Sequence, residues 1–193
     1  EALLQELSND LAFGITSLRA HKAQQRMQAS VLKVAAAVSA STGTEFFVQL
    51  VRNMAEALGA QGGCVVRLQP FVEGQPARVV TLAAVLDGQM LPHDEYDLNG
   101  TPSQMLLSQH EYVVIDKVQQ RYPEAPVLRY VGAQGYAGQQ LCNADGQVVG
   151  IVFVLFRQPV AETGFITSTL QIFAARASAE IDRQLADARI RHQ

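Results

Sequence analysis

At 193 residues the chain has the length of one globular domain with extensions, and it can bury a core without disulfide staples. Apolar residues make up 48% and charged residues 17%, a globular balance. The net charge of −3 argues against the clustered basic surface that nucleic-acid binding needs, and is too small to imply a cationic partner.

The first forty residues are predicted helical. Leu4, Leu7, Leu11 and Leu18 share one stripe, the stretch from Arg19 to Gln28 is polar, and the stripe returns at Met27, Val31, Val34 and Val38. A connector helix, docked at each end and solvated between, fits this pattern; a frayed leader is the alternative. A second helix starts with Thr44 as N-cap and Glu45 in its first turn, presents Phe47, Leu50, Val51, Met54 and Leu58 on one face, and stops at Gly59. The period then changes to two. Cys64–Leu68 and Arg78–Leu86 read as strands, with Pro70–Pro76 as a turn region between them and the turn pair Asp87-Gly88 after the second. A short third strand is expected near Tyr96–Leu98.

Thr101 as N-cap, Pro102 at the first helical position and Gln104 closing a capping box predict a short helix to about Ser108. Tyr112–Ile115 reads as a strand, and Asp116–Val131 as an irregular, partly helical crossover broken by Pro123 and Pro126. Tyr136–Cys142, the turn Asn143–Gly146 and the apolar run Val148–Phe156 form a hairpin whose second strand should be central, covered on both faces. A last helix is expected over Thr163–Arg191, with Leu170, Phe173, Ala177 and Ile181 inward and Arg176–Glu180, Arg183–Asp187 and Asp187–Arg191 paired outside. This order predicts an α+β fold: an antiparallel sheet with the N- and C-terminal helices on one face and the crossover segment roofing the other.

Four pieces carry a family resemblance. Phe46–Val51 with Met54–Ala60 is similar to the opening helix of GAF domains running into their first strand, and Tyr96–Pro102 to the loop entering their central helix. Tyr136–Leu141 with Asp145–Gly150 is similar to their closing hairpin, and Phe173–Ile181 to their last helix. In this order and at these spacings, residues 31–185 resemble a GAF domain of a multidomain bacterial signalling protein, of the sensor-kinase or cyclic-dinucleotide-enzyme type. Two departures stand out: Gln140 where many relatives carry Pro, and Ser103 where a Cys often follows Gly-Thr-Pro.

The resemblance implies a regulatory, non-catalytic small-molecule sensor and dimerisation module in a two-component-type system. It would be a homodimer through its terminal helices, covalently linked to an output domain. A purely structural dimerisation module without a ligand is the alternative. Residues 1–30, beginning at Glu1, are then expected to be a linker helix from a preceding domain, and residues 186–193 the start of a C-terminal linker helix. The resemblance names no cofactor.

Little in the sequence suggests catalysis. His21 and His192 fall on terminal helices, His110 follows the short helix, and His93-Asp94-Glu95 are consecutive loop residues that point different ways, poor metal ligands. There is no GxSxG and no phosphate loop; the glycines at 59–63 precede a strand rather than a helix. Cys64 and Cys142 sit in strand-like contexts and are expected to be small, buried and reduced, in a cytoplasmic compartment. Neither matches the context of a bilin-attaching Cys in GAF relatives. The further cysteines of methionine-sulfoxide-reducing relatives and the Asn-Lys pair of cyclic-nucleotide-binding ones are missing. The apolar run Val148–Phe156 falls far short of the roughly 20 residues of a spanning helix.

A pocket under the crossover remains. Tyr96, Ser103, Tyr112, Tyr130 and Tyr136 come from the segments expected to build its roof or the strand beneath it. Tyrosine offers apolar area with one hydrogen bond. These residues either line a ligand site or fill the core with their hydroxyls at its rim.

Overall fold

A computed structural model describes Gln5 and residues 14–22, 24–25 and 43–191. Residues 14–22 and 24–25 are helical, with Ile15 and Leu18 exposed. The rest of the leading stripe, Leu4 to Leu11 and Met27 to Val38, lies outside the described residues.

The sheet consists of β1 Gly62–Leu68, β2 Arg78–Leu86, β3 Gln89–Met90, β4 Glu95–Asp97, β5 Glu111–Val114, β6 Gly135–Cys142 and β7 Val148–Phe156. The order is β3-β2-β1-β7-β6-β5, with β4 also on β2, and every pairing is antiparallel. The helices are α1 Thr44–Leu58, a 3-10 helix Pro102–Leu107, α2 Val118–Arg121, α3 Pro126–Val131 and α4 Thr163–Arg191.

Strand periodicity divides the core in two. In β7, Val152 and Val154 turn to one face while Ile151, Phe153 and Leu155 turn to the other, and all five are buried. That double burial explains why this strand carries no polar alternation. Phe47, Leu50 and Met54 of α1 and Leu170, Phe173 and Ile181 of α4 pack with Val65, Val152 and Val154 on the first face. The two long helices therefore share a face, as expected. Each large apolar side chain buried there contributes about 1.5–3 kcal/mol. On the opposite face, Leu98, Leu106, Val118, Leu128 and Val131 of the crossover pack onto Val66, Ile151 and Phe153.

Several local expectations need correction. Gly43, not Thr44, is the N-cap of α1; its N–H donates across the fold to Glu180 Oε1 at 2.9 Å. The Thr101 hydroxyl does not cap the short helix but donates back to the Leu98 carbonyl at 2.7 Å. Gln104 Oε1 accepts from Gly100 N–H, one residue short of a capping box. Pro126 begins α3 instead of breaking the crossover, since a first-turn proline loses no helical hydrogen bond. Cys142 is only half-buried. The two-residue β3 gave no sequence signal, although the Asp87-Gly88 turn that makes it was legible; both residues have positive φ, 50° and 78°.

Candidate functional site

Side-chain size across one row of the sheet decides where the molecule is hollow. Ala84, Cys64, Phe153, Gly138 and Tyr112 are register neighbours running from β2 to β5. Over β6, Tyr136 stacks on Phe153 at 5.5 Å between ring centres, and its hydroxyl and Leu106 fill the space above Gly138. Over β1 and β2 the corresponding residues are only Cys64 and Ala84, flanked by Gly62 and Gly63. A bulge where β1 shifts between Val65 and Val66 puts Thr81 and Ala84 on the same face.

The unfilled volume above these small residues is a cavity of about 550 Å³, the size range of small-molecule sites. Its floor is Cys64, Ala84, Leu86, Phe153 and Leu155. One wall is the β3–β4 loop with Leu91, Pro92, His93 and Asp94, followed by Tyr96. The other comprises Asn99 and Thr101 with Glu124, Ala125, Pro126, Val127 and Val131 around α3.

The polar groups have definite assignments. His93 Nδ1 lies 2.8 Å from the Thr81 carbonyl, an acceptor only, so the proton is on Nδ1. Asp97 pairs with Arg78 at 3.1 Å. Tyr96, in the cavity wall, makes no hydrogen bond to another described residue, and burial pushes its phenol well above the ordinary tyrosine range, so it stays a neutral donor. Burial pushes the Cys64 thiol up to about 12; it is a protonated floor residue, not a thiolate nucleophile. Beside the hollow, Arg157 ties α3 to the Asp87 turn: its guanidinium grips Asp87 with two bonds of 2.6 and 2.7 Å, and its Nε donates to the Val131 carbonyl at the end of α3.

Of the residues singled out from sequence, Tyr96 lines the cavity. Ser103 and Tyr136 share a buried hydrogen bond of 2.8 Å beside it, and Tyr112 shares one of 2.7 Å with Tyr122. Burial, together with that bond, pushes Tyr122 up to about 12. Tyr130 is not brought to the others: it is 77% exposed on the outer side of α3, over a shallow depression with Pro123 and Arg129. Sequence reading missed Cys64 and Ala84 in the floor, Asn99 and Thr101 in the wall, and Tyr122 as a partner. Among the described residues, no group of three His, Cys, Asp or Glu side chains is placed to hold a metal, and no helix is long and apolar enough to cross a membrane.

Neither a family model nor a curated relative matches this sequence. Among solved structures, the phycocyanobilin-bound GAF domain of a cyanobacterial phytochrome superposes with a TM-score of 0.62 at 10% identity, covering 83% of this chain and 96% of that one. At that identity the likeness is one of fold. The chain has a GAF-like α+β fold, an open antiparallel sheet backed by its long helices.

Proposed function

We propose that residues 31–185 form a regulatory small-molecule sensor, and that the cavity over β1 and β2 is its ligand site. The observation that carries this is the hollow itself: an apolar floor in which Cys64 and Ala84 leave space, walled by Tyr96, Asn99 and Thr101. Tyr96 would hydrogen-bond the ligand. Ser103, Tyr112 and Tyr136 would support the site from the side, and Tyr130 would contribute through the outer surface of α3.

In this reading the module transmits, and no reaction is assigned to it. Residues 1–30 would be the linker helix from a preceding domain and 186–193 the start of the C-terminal linker. The ligand would bias the arrangement of these helices in a homodimer, in a cytoplasmic sensor-kinase or cyclic-dinucleotide-enzyme type of protein. Two features support transmission. The Glu180–Gly43 hydrogen bond joins the entry of α1 to α4, and α4 runs on to residues as exposed as Ile190, at 71%. Burial holds the cavity's thiol, Cys64, protonated, which disfavours covalent attachment of a ligand through its sulfur.

A thermal-shift screen of small metabolites tests the reading. A ligand at a hundred times its Kd adds about 2.7 kcal/mol, which for a chain of this size raises Tm by about 5–10 °C. The shift should vanish in Ala84→Phe, which fills the floor. A hit that survives Ala84→Phe places the ligand elsewhere. The second reading, a structural dimerisation module without a ligand, draws on the Ser103–Tyr136 and Tyr112–Tyr122 bonds, which satisfy those hydroxyls internally. A screen without hits would favour it.

A further inference from the structure

The chain as a whole is close to neutral, but the cavity wall is not. Its lining includes Asp94, Asp97 and Glu124 and neither a lysine nor an arginine. Asp97 is matched by Arg78, which leaves Asp94, whose Oδ1 accepts the Glu95 N–H, and Glu124 as rim carboxylates without a cationic partner among the described residues. Arg129, nearby on α3, donates to the Pro123 carbonyl and does not line the cavity. His93 uses its Nδ1–H on the Thr81 carbonyl, so its remaining nitrogen, when neutral, is another acceptor. Beside the Tyr96 hydroxyl, the wall's donor, the rim therefore carries negative charge without a matching cation, above an apolar floor of Cys64, Ala84 and Phe153.

Such a wall discriminates by charge. A carboxylate or phosphate entering it would lose its hydration, meet two like charges and find no cationic partner. An ammonium or another N–H donor would meet acceptors, while its hydrocarbon body covers the floor. We propose that the ligand of this site is a small amphipathic cation, an apolar body carrying an ammonium-type head, and that anionic ligands are rejected. This rests on the cavity being the ligand site.

The test uses the whole chain and three probes of one skeleton: 4-phenylbutylamine, 4-phenylbutanol and 4-phenylbutyrate, titrated calorimetrically at low salt. Exposed carboxylates act modestly, so the amine should bind about tenfold more tightly than the carboxylate, with the alcohol between. Raised salt should narrow the gap. The exposed pair Asp94→Asn and Glu124→Gln, combined, should bring the three probes within about twofold of one another. Equal binding of amine and carboxylate, tighter binding of the carboxylate, or a preference unchanged in the combined variant would overturn the charge assignment alone. Absence of binding by all three, or binding indifferent to Ala84→Phe and to the milder Ala84→Leu, would overturn the ligand site and this inference with it.

Discussion

Replacing Tyr136 with Phe removes one hydroxyl from a place where water cannot replace it, for Tyr136 is 1% exposed and its partner Ser103 3%. The bond between them is 2.8 Å. Removing either hydroxyl strands the other in an apolar interior, at a cost of about 1–3 kcal/mol. Removing both leaves two apolar surfaces in contact and should cost little more than the net value of one bond, about 1 kcal/mol. The double-mutant cycle Tyr136→Phe with Ser103→Ala should therefore show about 1–5 kcal/mol of coupling. With a urea m-value of about 2 kcal/mol/M, each single variant lowers the unfolding midpoint by about 0.5–1.5 M, and the double variant goes no lower than the worse single. Additive losses would refute the bond. A Tyr136→Phe variant as stable as the parent, but unable to respond to a ligand, would show that the hydroxyl serves the cavity and not the core.

Four further outcomes follow from the packing. Gly150→Ala drives a methyl into the Val66 carbonyl and to 3.2 Å from Leu141 Cδ1, forcing β1 from β7; the expected loss is about 2 kcal/mol in urea unfolding. Gly164→Ala, with open space around its Cβ, should gain about 0.4–1 kcal/mol. The Arg183 guanidinium, helped by Gly43 N–H and Gln184 against the opposing effect of burial, holds the Glu180 carboxyl below its ordinary range. Its contribution is thus present above the unfolded carboxylate value of about 4.3 and is lost as pH falls through the lower folded value. Glu180→Gln should lower the midpoint at pH 7 and flatten its decline below pH about 4; equal slopes in the two proteins would refute this. Arg157→Met should speed amide exchange in Pro126–Val131, which loses its tie to Asp87, and leave exchange in Thr44–Leu58 unchanged.

What the sequence made legible was local. The ends of β7 and α4 and the Asp87-Gly88 turn follow from apolar runs, helical spacing and turn chemistry, all contained in a few consecutive residues. The cavity is not local. It exists because Cys64 lies opposite Ala84 in one register and opposite Phe153 in another, and a strand's register depends on partners far along the chain. The bulge between Val65 and Val66, which sets the facing of Thr81 and Ala84, left no mark in the residue pattern. Tyr130 was misplaced for a different reason. Once Pro126 starts a helix, Leu128 and Val131, three apart, share its buried face, and Tyr130 between them must turn outward. That phase was present in the sequence, hidden by reading Pro126 as a breaker.

The two walls of the cavity differ in what they can do. The floor belongs to strands paired on both sides, and moving it would disturb β1, β2 and β7 together. The α3 wall is one of two helices of four and six residues, too short to be stable by themselves and held by a few inward side chains. A ligand that changes the cavity's shape therefore displaces α3 before it displaces the sheet. The Val131 carbonyl at the end of α3 is bonded to Arg157, which follows β7 and stands six residues before α4 begins. Together with the Gln134 N–H to Phe156 carbonyl and Val160 N–H to Ile115 carbonyl bonds, Arg157 is one of the ties by which a moving roof would reach the segment leading into the long helix, whereas Glu180 binds the same helix to Gly43. A ligand-driven change in α4 should accordingly depend on Arg157, while the Glu180 tie sets the arrangement from which that change begins.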